Sequence, residues 1–252
     1  MADNEDLASI CSDNVPLACI SQNGNYVFYP DNIDESADGM NLYYRSLKNI
    51  KAEPIKIDTD VVLYCVNDNA TFVTYLTADD ELYQYSLRSD TKDKIGIDVE
   101  RFDVTNDGSR IAYIDDNDSV YVKYAGKEKE KIATEIDQLY YWNENFSTFY
   151  YLKDDGLYKQ IKGKDRVKID GGVNYIEKAN DDFSQIAYFT NNGLYLVNEG
   201  KQPEQLTGAV DSLVYTNEDY SLIYYTKDDC LYRKERGNDP VEIAADVDAV
   251  LD

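Results

Sequence analysis

The stretch from Asn180 to Thr216 reads NDDFSQIAYFTNNGLYLVNEGKQPEQLTGAVDSLVYT, and it contains four short apolar runs separated by turn signals. The runs cover residues 185–189, 194–197, 205–206 and 210–215, and the Asn192-Gly193 step before the second run is a strong hairpin signal. So short a stretch leaves no room for helices between the strands, so neighbouring strands must pair antiparallel through tight turns. One such sheet cannot bury both of its faces, and the chain therefore needs copies of it.

Copies of this stretch recur along the whole chain in a fixed register. The apolar residue of the third run recurs in steps of 38 residues once and 37 residues four times, at Ile57, Ile95, Ile132, Ile169, Leu206 and Ile243. Four residues later a second column repeats those steps, at Val61, Val99, Ile136, Val173, Val210 and Val247. The first run contributes Tyr29, Tyr75, Tyr113, Tyr151, Tyr188 and Tyr225, and the second contributes Tyr43, Tyr83, Tyr121, Tyr158, Tyr195 and Tyr232. Columns in register six times indicate a repeat architecture.

The architecture that fits these repeats best is a β-propeller. A linear β-solenoid is the competing repeat fold, but it uses shorter repeats and parallel strands, whereas the tight hairpins favour antiparallel blades. We predict an all-β, six-bladed propeller of four-stranded antiparallel blades, a single domain over residues 1–252. The repeats cover approximately residues 15–60, 61–98, 99–135, 136–172, 173–209 and 210–246. Two apolar runs, residues 7–11 and 247–251, are left over, so seven blades with one incomplete is the alternative.

One turn and one strand carry a family resemblance. Residues 105–113, TNDGSRIAY, resemble the S-P-D-G-x-x-I-A-Y unit of TolB-like and WD40-like (PD40) propeller repeats, and residues 120–122, VYV, resemble the I-Y-V strand of that family. Residues 21–24, SQNG, are a weaker match, and the other repeats lack the Pro and Gly. The resemblance implies the propeller fold and transfers no active site. The overall pattern is also similar to propeller domains in the extracellular parts of Gram-positive bacterial membrane proteins.

That second resemblance implies a domain of a larger, surface-exposed bacterial protein, with a cytoplasmic protein as the alternative. The acidic start of the chain has no hydrophobic segment, so we predict no signal peptide. The sequence has no run of about 18 apolar residues, so we expect no insertion into a membrane.

Catalytic motifs are scarce in the sequence. The chain has no His, which is the usual general base and metal ligand, and no Gly-x-Ser-x-Gly or phosphate-binding loop. Its four Cys residues lack the Cys-x-x-Cys spacing of zinc sites. We therefore expect a non-catalytic binding or sensing propeller with no catalytic residues, cofactor or structural metal. A carbohydrate-active enzyme or a Tyr-lined lectin is the alternative; the first requires a pocket with converging acids and a perturbed carboxylate, the second exposed Tyr at equivalent positions.

The net charge of −24 indicates the chemistry of the partner. It argues against nucleic acid and anionic membrane surfaces, which require clustered Lys and Arg. Acid is concentrated in the hairpin after the first Tyr column and in the connections between repeats, two classes of loop that a propeller places at one side. The candidate interaction face consists of Asp34, Asp38, Asp79, Asp80, Asp115, Asp116, Asp118, Asp154, Asp155, Asp228 and Asp229.

The expected partner of this face is a protein, peptide or glycan, with a weakly bound divalent cation as a further candidate. The competing interpretation is that the acid only provides solubility and turn formation, since Asp is a good turn former.

Overall fold

The computed structural model describes residues 18–31, 39–49, 51–180 and 183–247. These residues form 23 β-strands and no helix, so the described part of the chain contains no helix that could cross a membrane. Every strand pairing is antiparallel, and pairing follows chain order within each sheet. The predicted all-β class is confirmed.

The strands form five sheets. The first has seven strands: β1 (Cys19–Ile20), β2 (Tyr26–Asp31), β3 (Met40–Ser46), β4 (Ile55–Val66), β5 (Phe72–Thr77), β6 (Leu82–Ser86) and β7 (Thr91–Gly96). The second has β8 (Val99–Val104), β9 (Arg110–Asp115), β10 (Val120–Tyr124) and β11 (Glu130–Ala133). The third has β12 (Gln138–Trp142), β13 (Thr148–Lys153), β14 (Gly156–Ile161) and β15 (Val167–Gly171). The fourth has β16 (Val173–Ala179), β17 (Gln185–Thr190), β18 (Gly193–Asn198) and β19 (Glu204–Gln205). The fifth has β20 (Ser212–Thr216), β21 (Leu222–Lys227), β22 (Cys230–Glu235) and β23 (Val241–Ala244).

Each four-stranded sheet corresponds to one sequence repeat, and we call its strands a to d in chain order. Repeats one and two instead share strand β4, whose start pairs with β3 and whose end pairs with β5. The strand therefore serves as d of the first repeat and a of the second. Asp60 has a φ of 55° within this strand, while the equivalent Asp98, Glu135 and Gly172, with φ of 54°, 51° and 65°, lie between separate sheets. Five sheets thus stand where six separate blades were predicted.

The chain divides into two compact units. The first comprises Met1–Glu135 and Glu144–Phe146 and contains strands β1 to β11. The second comprises Ile136–Asn143 and Ser147–Asp252 and contains strands β12 to β23.

Within each unit the core lies between consecutive repeats. The b-strand pairs two residues apart are fully buried together: Val73 with Tyr75, Ile111 with Tyr113, and Ile186 with Tyr188. Each apolar side chain removed from water in this way contributes about 1.5–3 kcal/mol. The first-run columns therefore mark the core in repeats two to six, whereas the other predicted columns are less uniformly buried. Ile243, in the last d strand, is 50% exposed.

The turns between strands a and b are closed by side chains. In four repeats the turn opens with an Asn whose Oδ1 accepts backbone amides four or five residues later: Asn67, Asn143, Asn180 and Asn217. The fourth residue of the turn has positive φ in every repeat, at Gly24, Ala70, Gly108, Phe146, Phe183 and Tyr220. A bulky residue rarely adopts this conformation. Here the Asn cap and the burial of rings such as those of Phe146 and Tyr220 hold the turn where the sequence lacks Gly.

Candidate functional site

The acidic hairpins and the connections between repeats lie at the same end of the strands, because backbone hydrogen bonds join them. In the first unit, Asp60 O accepts from Ala78 N at 2.7 Å, and Asp98 O accepts from Asp116 N at 2.8 Å. Asp80 O in turn accepts from Val99 N at 2.9 Å. The b–c hairpins of repeats two and three are therefore each bonded to a connection between repeats.

The second unit repeats this arrangement. Asp155 O accepts from Val173 N at 3.0 Å, and Asp229 O accepts from Val247 N at 2.8 Å. We call this end of each repeat, formed by the b–c hairpin and the d–a connection, the acidic end.

Turn formation accounts for part of the acid at these positions. Asp80 and Asp118 have φ of 56° and 53°, and the pairs Asp154-Asp155 and Asp228-Asp229 have positive φ at both residues, as a two-residue hairpin of type I′ requires. Asp tolerates this region because its short polar side chain bonds locally. Asp115, which precedes such a turn, also bonds locally, because its Oδ1 accepts the amides of Asn117 and Ser119 at 3.1 and 2.9 Å.

Most of the predicted interaction residues thus fall on b–c hairpins. Asp79, Asp80, Asp115, Asp116 and Asp118 belong to the first unit, and Asp154, Asp155, Asp228 and Asp229 to the second. Asp34 and Asp38 lie outside the described residues. Within the described ranges no three Cys, Asp or Glu side chains are grouped closely enough to hold a metal ion.

Stacked tyrosines form a second repeated feature. In all six repeats the b-strand Tyr stacks on the c-strand Tyr directly opposite, with ring centroids 5.0–6.0 Å apart and interplanar angles of 13–21°. Offset stacking of this kind adds about 0.5–1.5 kcal/mol per pair beyond area burial. The b-strand rings at Tyr75, Tyr113, Tyr151 and Tyr188 are fully buried, while the c-strand rings are half-buried.

Cations on strand d or directly before it cover the c-strand ring in the first four repeats. Lys56 lies 5.9 Å from the ring centroid of Tyr43. Tyr83 is covered by Lys92 and Lys94, Tyr121 by Lys129 and Lys131, and Tyr158 by Arg166 and Lys168, at 4.5–5.8 Å. We call these residues the ring caps. Sequence reasoning missed them, although Lys56, Lys94, Lys131 and Lys168 follow the same 38- and 37-residue steps as the other columns.

Tyr75 and Tyr188 each donate a hydrogen bond to an Asp in the d strand of the preceding repeat. The hydroxyl of Tyr75 donates to Asp58 Oδ2 at 2.7 Å, and Lys92 Nζ approaches the same oxygen at 2.8 Å. Partial burial alone would raise the pKa of Asp58, but hydrogen bonds from Lys92, Tyr75 and the Thr59 amide more than offset it and lower the pKa. Burial, followed by the bond to Asp58, raises the pKa of Tyr75. Tyr188 makes the equivalent bond to Asp170, also at 2.7 Å.

Basic residues are segregated to the outer half of the repeats. The residues from the start of strand c to the middle of strand d, which we call the outer half, hold 20 of the 25 Lys and Arg but only 11 of the 49 Asp and Glu. They are residues 40–57, 82–95, 120–133, 156–169, 193–206 and 230–243. Two grooves on this outer half reflect that bias. One, of about 340 Å³, is lined by Lys94, Lys123 and Lys129, and the other, of about 470 Å³, by Lys159, Lys168 and Lys201. Most of the acid that gives the chain its net charge therefore lies outside these ranges.

A carboxyl group with a perturbed pKa lies on strand a of the fifth repeat. Partial burial raises the pKa of Glu177. The backbone oxygen of Glu177 accepts a hydrogen bond from the Tyr141 hydroxyl at 3.1 Å. Nearby, the buried hydroxyl of Tyr220 has no hydrogen-bond partner among the described residues, and burial followed by the charge of Glu177 raises its pKa.

Comparison with known proteins identifies the type of fold but no family. No protein-family profile matches the sequence, and no curated protein sequence matches it. Among solved structures the chain is similar to the dipeptidyl peptidase 4 of Porphyromonas gingivalis, with a TM-score of 0.51 and 10% identity over 89% of this chain. The fold is of the β-propeller type. The chain spans 45% of that peptidase chain.

Two further solved structures with propeller-type folds are similar at lower scores. An oligogalacturonate lyase in complex with manganese has a TM-score of 0.45 and 13% identity, over 86% of this chain and 73% of that one. An oligogalacturonate lyase from Vibrio parahaemolyticus has a TM-score of 0.43 and 14% identity, over 90% of this chain and 76% of that one. At these identities the likeness concerns the fold alone.

Proposed function

We propose that the chain is a six-bladed β-propeller that binds a basic protein or peptide, without catalysis, through the acidic ends of its repeats. The observation that supports this proposal is the backbone bonding between b–c hairpins and d–a connections, which brings the acidic residues of both loop classes to the same end of the strands. Loops presented by a rigid sheet scaffold are where binding residues concentrate.

The physical basis is many weak charge contacts rather than one pocket. An exposed ion pair contributes only about 0.2–1 kcal/mol, so stable binding requires several Lys or Arg side chains on the partner. The net charge of −24 adds long-range attraction that raises the association rate and declines with salt. Affinity should therefore fall steeply with ionic strength.

Calorimetric titration with a ten-residue peptide of alternating lysine and glycine tests the proposal. Asp115, Asp116 and Asp118 are changed together to Asn, which removes three charges while preserving the side-chain oxygen and the tolerance for positive φ. The matched control changes Asp93, Asp165 and Asp239, three exposed acids of the outer half, to Asn. We expect several-fold weaker binding in the hairpin variant and little change in the control. Equal weakening in both variants, or no binding by the wild type, would contradict the proposal.

A divalent cation at the acidic end is tested separately. The melting temperature is followed against CaCl2, MgCl2 and NaCl at matched ionic strength, because screening depends only on ionic strength whereas a site saturates and prefers one ion. A larger rise with one divalent salt, lost in the triple Asn variant, supports a site. Identical curves would leave screening as the explanation.

For the wider setting we propose a domain of a larger, surface-exposed bacterial protein with TolB-like or WD40-like repeats. The support is the sequence pattern of residues 105–113 and its turn, where Gly108 takes the positive φ of 72° that this pattern demands. Fractionation of the source cells with an antibody against the domain tests the location.

A carbohydrate-active function is the alternative, and Glu177 is the observation that favours it. A general acid needs a pKa raised towards neutrality, and burial shifts Glu177 in that direction. Glycoside hydrolysis also requires a second carboxyl within about 5–10 Å. Release of reducing ends from a panel of polysaccharides by the wild type, lost on Glu177→Gln, would replace the binding proposal with this one.

A further inference from the structure

The c-strand tyrosines of the last two repeats differ from those of the first four in what faces them. In repeats one to four the residue directly opposite the c-strand Tyr is a ring cap, at Lys56, Lys94, Lys131 and Lys168. In repeats five and six the residue opposite Tyr195 is Gln205, and the residue opposite Tyr232 is Glu242. Two positions earlier, where repeats two to four carry a second cation, stand Pro203 and Pro240.

As a result, the described residues place no Lys or Arg over the rings of Tyr195 and Tyr232. Both rings still stack on their b-strand partners, Tyr188 and Tyr225, at 5.8 and 5.4 Å, and both are half-buried. The amide of Gln205 is turned towards the hairpin, since its Nε2 donates to Asn192 O at 2.8 Å. The two rings therefore keep the geometry of the capped ones without the cation.

The surroundings of both rings attract positive charge. Strand β23 is exposed along its length, and Glu242 lies near the Tyr232 hydroxyl, whose pKa is raised by partial burial and then by the neighbouring Cys230 and Glu242. Tyr188, the stacked partner of Tyr195, donates to the carboxylate of Asp170, so a negative charge lies beside this ring pair. A ring face with a carboxylate close by attracts a cation by both the quadrupole of the ring and the charge.

We infer that Tyr195 and Tyr232 are binding positions for Lys or Arg side chains of a basic partner, which supplies from outside the cation that strand d supplies internally in the first four repeats. This inference rests on the proposed function and adds a second contact surface to it. The acidic ends attract and orient the partner, while the two rings select Lys and Arg side chains over a simple counterion.

The expected size of the effect follows from the exposure of the rings. A cation over an exposed ring gains about 0.5–1 kcal/mol, which is about two- to five-fold in Kd per ring. Two rings engaged by one partner would give about five- to thirty-fold.

The test restores the internal cap. Gln205→Lys and Glu242→Lys together give repeats five and six the residue that repeats one to four carry, and the new cations are expected to cover both rings without disturbing the fold. Because the added positive charge itself repels a cationic peptide, the control is Gln202→Lys with Asp239→Lys. These exposed positions of the c–d turns receive the same change in charge and face no c-strand ring in the strand pairing.

Binding of the ten-residue lysine–glycine peptide is measured by calorimetry, and the lysine side-chain protons of the peptide are followed by NMR. We expect the cap variant to bind at least about five-fold more weakly than its control. The wild type and the control, but not the cap variant, should shift the lysine protons upfield through the ring current. Equal affinities of the two variants with no upfield shift would overturn the inference and leave the acidic-end proposal standing. No binding by the wild type would overturn both. Binding of a neutral oligosaccharide that shifts the same Tyr signals would replace the basic partner with a glycan.

Discussion

Raising the pH through 10 is expected to unfold the protein through its buried tyrosines. Tyr64, Tyr75, Tyr113, Tyr151 and Tyr188 are at most 1% exposed. Desolvation raises the pKa of each of them above the ordinary value of a phenol. Because the folded state holds these protons more tightly than the unfolded state, their contribution to stability is constant below pH 10 and declines as the pH rises above it.

The loss follows from the number of buried rings. If the folded state does not ionise, a single Tyr loses about 0.8 kcal/mol of stability at pH 10.5 and about 1.4 kcal/mol at pH 11, relative to an unfolded pKa of about 10. Five such rings lose about 4 kcal/mol at pH 10.5 and about 7 kcal/mol at pH 11. A domain stable by about 5–15 kcal/mol should therefore unfold cooperatively between about pH 10.5 and 11.5.

The assay follows far-ultraviolet circular dichroism and phenolate absorbance in parallel titrations. We expect the buried phenols to ionise together in a steep step that coincides with loss of the sheet signal. Deprotonation of Lys also increases self-repulsion, so the titration is repeated in 1 M NaCl, which screens that repulsion but leaves the cost of a buried phenolate. Tyr188→Phe should lose less stability between pH 7 and pH 11 than the wild type loses, because one buried phenol is gone. Tyr29→Phe, at a half-buried position of the same column, should lose as much as the wild type. A smooth titration with the sheet signal intact above pH 11.5 would refute the reasoning.

Three substitutions and one control substitution test the fold at neutral pH. Ile186→Asp buries an unpaired charge between repeats and should abolish the folded state. The control Asn191→Asp, in an exposed hairpin, should leave the stability unchanged. If circular dichroism showed the Ile186 variant to be folded, the core assignment would be wrong. Gly193→Ala should cost more than about 2 kcal/mol in urea unfolding, because its Cβ would lie 2.2 Å from Thr207 O and its φ is 127°; a change below about 0.5 kcal/mol would contradict this. Asn217→Ala removes the cap of an a–b turn and should cost about 1–2 kcal/mol, and an unchanged melting temperature would argue against the capping role.

The sequence predicted the repeated part of the structure well because six aligned copies show one pattern, whereas a single short apolar run could belong to a helix or a strand. Residues such as Ile111 and Tyr113 recur in register six times, and burial on one face of a strand is the simplest explanation of such a column. The strand class and the antiparallel meanders follow from the same pattern. The residues that form the core could therefore be predicted without knowledge of the tertiary contacts.

Other features depend on contacts that a single stretch of sequence does not show. The Asn192-Gly193 step predicted a turn glycine, yet Gly193 begins strand β18 and is required by the close approach of the backbone at Thr207 and Gly208. That approach comes from the connection to the next repeat, so no local turn rule could predict it. Likewise, the continuity of β4 depends on Asp60 remaining within the strand, whereas Asp98 in the same column separates two sheets.

The candidate site could be predicted only in part for the same reason. The acid in the b–c hairpins is visible as composition, but its bonding to the d–a connections is a property of the folded backbone. The ring caps follow the repeat spacing, and a search for charged columns as well as apolar ones would have found them. Whether these surfaces bind a partner is a question of affinity, which neither spacing nor charge determines alone.

The shared strand β4 also affects how the chain opens. In a repeat protein stability is approximately a sum of repeat and neighbour terms, so separate sheets can exchange their amide protons in separate opening events. Repeats one and two have one continuous backbone hydrogen-bond ladder, from β1 through β7, in place of two. Breaking β4 releases partners on both sides at once, so these two repeats form a single foldon, with slow and correlated amide exchange across residues 55–66. The fourth, fifth and sixth repeats have no such strand in common, and each can open at its own rate.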